Sequence, residues 1–238
     1  MAMSLSAVCV VLAALAVGGQ PASAGTILYQ ETALTGGSTQ FNSEEIDLQE
    51  VLIPSALNPM NLPAFTITKV TYQIHLTQTS CCTFSAYWAD AGTDAKGTPV
   101  PDPSQSLNRP HLFYSQGVSG GINPTDLLIT IGDGITPLFT VKQNSGVVAG
   151  YDLIWLGLSF PPVASNIAWD NASGPDFSRG VTYNYDLFTE TQSFGTAGRF
   201  YLHVEGFPTP EPGSLTLLSA GLMSLLAIRR IYRRRART

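Results

Sequence analysis

The chain has 238 residues, of which 12% are charged and 10% aromatic, with 22 glycines and 16 prolines. Its formal charge of −5 hides an asymmetry: six of the twelve basic residues fall after residue 228, and the rest of the chain sets the other six against all seventeen acids, a balance of −11. So acidic a body excludes nucleic acid as a partner, and so few charges with so much Gly and Pro argue against a helical protein and for a loop-rich, exported all-β domain.

The N-terminus reads as a secretory signal peptide. Ala7 to Val17 is unbroken apolar sequence, the length of a signal core and too short for a comfortable membrane span. Gly18, Gly19 and Pro21 then stop any helix, and Ala22 and Ala24 supply the small residues that signal peptidase accepts. Cleavage is expected before Gly25, so residues 1–24 are read as the signal peptide. Its first residues, MAMSLS, depart from the pattern in having no Lys or Arg.

The body after Ala24 shows recurring strand character. Thr26–Gln30 opens it. Thr66–Gln78 has the clearest alternation, with Val70, Tyr72, Ile74 and Leu76 on one face and Thr71, Gln73, His75 and Thr77 on the other. Cys82–Ala89 is its expected partner. The adjacent Cys81 and Cys82 either form a strained vicinal disulfide or stay as two thiols on opposite faces of a strand, the latter reading being preferred. Ala91–Pro110 is expected to be a long surface loop. His111–Val118, Leu127–Ile131 and Ile135–Val141 read as short strands, with Gly132-Asp133-Gly134 as a hairpin turn between the last two. Asp152–Phe160 is apolar on both faces and is expected to be a central, doubly covered strand. Val181–Tyr185 and Arg199–Glu205 complete the set, and Phe207–Thr209 reads as a linker. The expected fold is all-β: a single β-sandwich, jelly-roll-like, over residues 25–207.

The C-terminus has three parts in fixed order. Pro210-Glu211-Pro212 holds the chain extended, as a processing enzyme requires. Ser214–Ile228 comes next, about 22 Å long as a helix against a hydrocarbon layer of about 30 Å. Arg229 and Arg230 can snorkel, which extends the transmembrane segment to about 214–232. Arg229, Arg230, Arg233, Arg234, Arg235 and Arg237 would then be retained in the cytoplasm. That places the body on the far side of the membrane, in agreement with the signal peptide. This order resembles the PEP-CTERM sorting signal of Gram-negative bacteria, and the resemblance covers residues 208–238. It implies recognition and cutting by an exosortase, transient anchoring in the inner membrane, and a final place in the cell envelope or outside the cell. The family is typical of species that make exopolysaccharide or biofilm matrix, and many of its ectodomains are sandwiches.

Within the body the candidates for chemistry are weaker. No nucleophile elbow, zinc-protease helix or P-loop is present. His75, His111 and His203 are far apart in sequence, and His75 and His203 are expected on outward strand faces. Asp90 with Asp94, and Asp170 with Asp176, lie among small residues that could wrap a Ca2+ ion; a plain Asx turn is the competing reading. Trp88, Trp169, Tyr183 and Tyr185 are candidates for a sugar-stacking platform, against which stands core packing. The function expected is that of a non-catalytic binding or structural component of the envelope or exopolysaccharide matrix. The partners are signal peptidase, exosortase, the inner membrane and exopolysaccharide, with no cofactor other than the candidate Ca2+. A secreted polysaccharide-acting enzyme and a plain membrane-anchored carbohydrate-binding module are the alternatives.

Overall fold

The computed structural model describes residues 25–40, 45–58, 62, 64–76, 82–101, 110–118, 125–142, 145–160, 167–173, 182–186, 192–194 and 199–209. The signal peptide, the Pro-Glu-Pro motif, the apolar segment and the arginine cluster lie outside the described residues, as do Cys81 and Asp176. Among the described residues no helix is long and apolar enough to cross a membrane. Ala24–Thr209 forms one unit, and its described elements are strands and one short 3-10 turn at Ser55–Leu57.

Two sheets make up this unit. The first is ordered β1 (Thr26–Glu31), β15 (Leu202–Thr209), β4 (Ala64–Leu76), β12 (Ile167–Ser173) and β2 (Ala33–Gln40), with β8 (Thr125–Ile131) and β9 (Phe139–Lys142) also on β4. The second is ordered β14 (Gln192–Phe194), β13 (Thr182–Asp186), β3 (Glu45–Pro54), β11 (Tyr151–Ser159), β5 (Cys82–Thr93) and β6 (Pro99–Pro101), with β7 (His111–Val118) on β5 and β10 (Ser145–Val148) on β11.

The 13-residue β4 organises the first sheet. One flank pairs with β9 through Ala64–Ile67 and then β8 through Val70–Leu76; the other pairs with β15 through Ala64–Tyr72 and then β12 through Ile74–Leu76. Its alternation buries Val70, Tyr72, Ile74 and Leu76 completely, as period-2 patterning predicts. These side chains meet Phe84, Ile154, Leu156 and Leu158 of the second sheet in one shared core. Tyr72 lies 5.6 Å from Trp169 within the first sheet, Phe84 lies 5.5 Å from Phe160 on the side of the second, and an edge contact between Tyr72 and Phe84 at 5.8 Å links the layers. A buried polar bridge joins them as well. Gln49 Nε2 donates to the Tyr29 hydroxyl at 2.9 Å, and its Oε1 accepts from the Phe200 backbone N–H at 2.9 Å.

The doubly apolar strand is central as expected. β11 lies between β3 and β5, and its residues from Asp152 to Ser159 are buried. Leu153 and Trp155 belong to a second cluster with Ile46, Leu48, Tyr183 and Tyr185, while Ile154 and Leu156 face the shared core. Gly157 is required here, because a Cβ would stand 2.4 Å from the Asp47 carbonyl oxygen on β3.

Three expectations need correction. Residues 132–138 are not a hairpin: β8 and β9 both run antiparallel to β4 along one flank, so the Gly-Asp-Gly turn is an excursion between collinear strands. Asp133 organises it by accepting from the Ile135 and Thr136 N–H groups, with Gly132 and Gly134 at positive φ. Ala91–Pro110 is not wholly loop, since Ala91–Thr93 pair with Pro99–Pro101 around a turn at Asp94–Thr98. Finally, Phe207–Thr209 is not a linker; these residues finish β15, opposite Thr66, Phe65 and Ala64.

Candidate functional site

The outer face of the first sheet carries the polar alternates of β4, Lys69, Thr71, Gln73 and His75. At the end of β4, His75 stands directly opposite Asp126 of β8 on one flank. On the other flank it pairs with Ala168 of β12, and Asp170 lies two residues further on, on the same face. Three neighbouring strands therefore bring together one imidazole and two carboxylates. One donor atom from each of His75, Asp126 and Asp170 falls within 4.8 Å of the others. His75 Nδ1 is 2.7 Å from Asp126 Oδ1.

The three residues differ in exposure. The Asp126 side chain is 54% exposed, that of His75 31%, and Asp170 only 7%. Burial raises the Asp170 pKa above the usual carboxylate range and the Asp126 charge adds to this, against the opposing effects of His75 and a hydrogen bond from Gln73. Asp170 Oδ2 is buried without a hydrogen-bond partner among the described residues. A cleft of about 340 Å³ opens beside the cluster, walled by Leu34, Gly36, Gly37 and Ser38 of β2. Asp170 pairs with Ser38 at the near rim. The two glycines leave this wall without side chains, and a Cβ on Gly36 would meet nothing within 4 Å.

A second polar group lies further along the same face. Glu205 Oε1 takes Lys69 Nζ at 2.8 Å and His203 Nε2 at 2.9 Å. Burial alone would raise the Glu205 pKa, but the hydrogen bonds and charges of Lys69 and His203 outweigh it and the net shift is downward. His75 and His203 thus have separate carboxylate partners and do not meet.

The other sequence candidates do not converge. Trp169 and Tyr185 are fully buried and Tyr183 is 5% exposed, Trp169 in the shared core and the two tyrosines in the second cluster. Trp88 is half-buried and stacked on His111 at 4.4 Å and Phe139 at 5.3 Å. These four aromatics form no sugar platform, because strand pairing turns three of them into the interior. Asp90 and Asp94 do not form a Ca2+ loop with each other either. Asp90 Oδ1 accepts from the Lys142 N–H, and Asp94 Oδ1 accepts from the Lys96 and Thr98 N–H groups, which makes the latter an Asx turn. Those hydrogen bonds from Thr98 are the main reason the Asp94 pKa is lowered. Asp170 belongs to strand β12, not to a loop. Asp126 is absent from the sequence candidates altogether. The available signal is the alternation of Asp126, Leu128 and Thr130 with Leu127, Ile129 and Ile131, which marks Asp126 as an outward strand residue that can pair with the His75 face.

The body and its end together define a class: an all-β, two-sheet domain whose last described strand runs to the residue before Pro210, followed in sequence by a Pro-Glu-Pro motif, an apolar stretch and an arginine cluster. Residues 208–234 match the PEP-CTERM protein-sorting motif. The chain therefore carries the sorting signal of an exported protein recognised by an exosortase. Comparison with curated proteins and with solved structures gave no match.

Proposed function

We propose that this chain is a non-catalytic structural or binding component of the cell envelope or extracellular matrix, delivered there through its processed tail. Residues 1–24 are removed by signal peptidase. The body, a sandwich of jelly-roll type, crosses the inner membrane and is held there by the segment at about 214–232 with the arginines on the cytoplasmic side. An exosortase then acts at Pro210-Glu211-Pro212 and releases or transfers the body to an exopolysaccharide-rich surface. The observation that carries this reading is the sorting motif at residues 208–234. The continuous core supports the structural part, since it gives a body held by burial.

The test is the intact mass of the protein recovered from cells with and without an active exosortase. The expected product begins at Gly25 and has lost the arginine cluster only where exosortase is active. A tail complete to Thr238 in exosortase-positive cells overturns the processing claim. Co-purification of the released body with host exopolysaccharide, and its loss after glycan digestion, tests the matrix role; a body that fractionates independently of the glycan removes that part.

A further inference from the structure

We propose that His75, Asp126 and Asp170 bind one divalent transition-metal ion of the zinc class, with its open coordination positions facing the β2 cleft. Two independent observations meet here. The first is the donor set: an imidazole nitrogen and two carboxylate oxygens, on three adjacent strands, within 4.8 Å of one another. The second is Asp170 itself, 7% exposed: one of its carboxylate oxygens belongs to the cluster, Gln73 supplies its carboxylate with a hydrogen bond, and its Oδ2 is buried with no hydrogen-bond donor among the described residues. A buried carboxylate oxygen without a donor is costly unless a cation completes it.

Ligand chemistry selects the class of ion. Calcium takes six to eight oxygen ligands and has little use for an imidazole. Zinc takes nitrogen and carboxylate oxygen together at about 2.0–2.2 Å, and three protein ligands with an open position are a common arrangement. Ligand atoms around such an ion stand about 3.3 Å apart at tetrahedral angles. Reaching that spacing opens the 2.7 Å contact between His75 and Asp126 slightly and draws the pair onto buried Asp170, a shift that side chains 31% and 54% exposed can make. The ion displaces the hydrogen that lies between His75 Nδ1 and Asp126 Oδ1, and the neutral imidazole that ligates it through Nδ1 carries its one ring N–H hydrogen on Nε2. The cleft beside Gly36, where a side chain would meet nothing within 4 Å, leaves room for water or an exogenous ligand at the remaining positions.

The test uses the full chain purified in detergent, stripped with chelator, with its cysteines alkylated so that thiols cannot bind zinc. Titration calorimetry with Zn2+, Mn2+ and Ca2+ is expected to show one saturable Zn2+ site per chain, and a Tm that rises with Zn2+ as ligand linkage requires. His75→Ala and Asp170→Asn should each weaken Zn2+ binding at least tenfold. His203→Ala, on the same face but paired with Glu205, should leave it unchanged. Asp170→Asn removes a buried charge, so its metal-free Tm should equal or exceed that of the parent; if that variant fails to fold, His75→Gln at the more exposed position decides. Absence of a saturable Zn2+ isotherm, equal binding by the parent and His75→Ala, or Ca2+ binding without Zn2+ binding overturns the proposal.

Discussion

Thr66 Oγ1 lies 3.1 Å from Thr209 Oγ1, so the residue that immediately precedes Pro210 is tied by its side chain to the middle strand of the first sheet. Thr66 Oγ1 is also 3.2 Å from Thr140 Oγ1, which extends the contact into a threonine row across β15, β4 and β9. The matched sorting segment begins at residue 208, and its first two residues are also the last two of the sheet. Folding of the body therefore fixes the chain right up to the processing motif.

This overlap sets where the body can be cut. A chain spanning 25–209 is expected to melt at the same temperature as one spanning 25–212. A chain ending at Gly206 loses the pairing of Phe207, Pro208 and Thr209 with β4 and should be about 1–3 kcal/mol less stable, lowering Tm by roughly 2–10 °C for a domain of this size. Differential scanning calorimetry of the three chains decides. Equal Tm values for all of them would return Phe207–Thr209 to the status of a linker.

Gln49 joins the layers through Tyr29 and the Phe200 N–H, all of them buried. Replacing Gln49 with Leu leaves the Phe200 donor without this acceptor, and the expected loss is about 1–3 kcal/mol. Tyr29→Phe removes only the hydroxyl and should cost less. Urea unfolding of both variants measures this, and a Gln49→Leu protein as stable as the parent would show that the amide is replaceable by apolar packing.

Asp47 makes the body's stability depend on pH. Burial, reinforced by the neighbouring Glu45 charge, pushes its carboxyl up to about 7 from 3.8. The folded state thus holds this proton more tightly than the unfolded chain does. The contribution is complete below pH about 4, falls by about 1.4 kcal/mol per pH unit at most as pH rises, and is exhausted above pH 7. Its ceiling is about 4 kcal/mol, which residual solvent screening reduces. Asp47→Asn should therefore gain on the parent steadily between pH 4 and 7 in chemical denaturation, with a constant difference above. A difference independent of pH would contradict this.

Trp169 is a core residue. Its ring touches Tyr72 at 5.6 Å and Phe200 at 4.6 Å, and its Nε1 donates to the Tyr201 carbonyl oxygen at 3.0 Å. Trp169→Ala is expected to cost about 3–5 kcal/mol, whereas Trp88→Ala, at a half-buried position, should cost less. Thermal melts of both rank them. If glycan retention falls in Trp169→Ala, it should fall only in proportion to the unfolded fraction.

The strands that announce themselves in the sequence are those with local alternation or continuous apolar character, β4, β7 and β11 among them. β3 does not, because Glu45, Asp47, Gln49 and Glu50 make it look polar. Yet Gln49 and Glu50 are fully buried, and Gln49 is satisfied by hydrogen bonds from the opposite layer that local sequence does not reveal. β12 likewise reads as an acidic loop from Asp170 and Asn171, although its inward Trp169 packs into the shared core.

The sorting signal can be read from the chain alone. The sorting motif is contiguous, so Pro210-Glu211-Pro212, the apolar stretch and the arginines are legible without a fold. The all-β character was legible for a similar reason, since alternation is a property of neighbouring residues. It takes the folded chain to show that Phe207–Thr209 belong to the sheet, that Trp169, Tyr183 and Tyr185 are interior, and that His75 meets Asp126 and Asp170. Those outcomes depend on the register between residues separated by about 50 to 145 positions along the chain. That register is fixed by how the two layers bury their inward faces together, not by any local pattern.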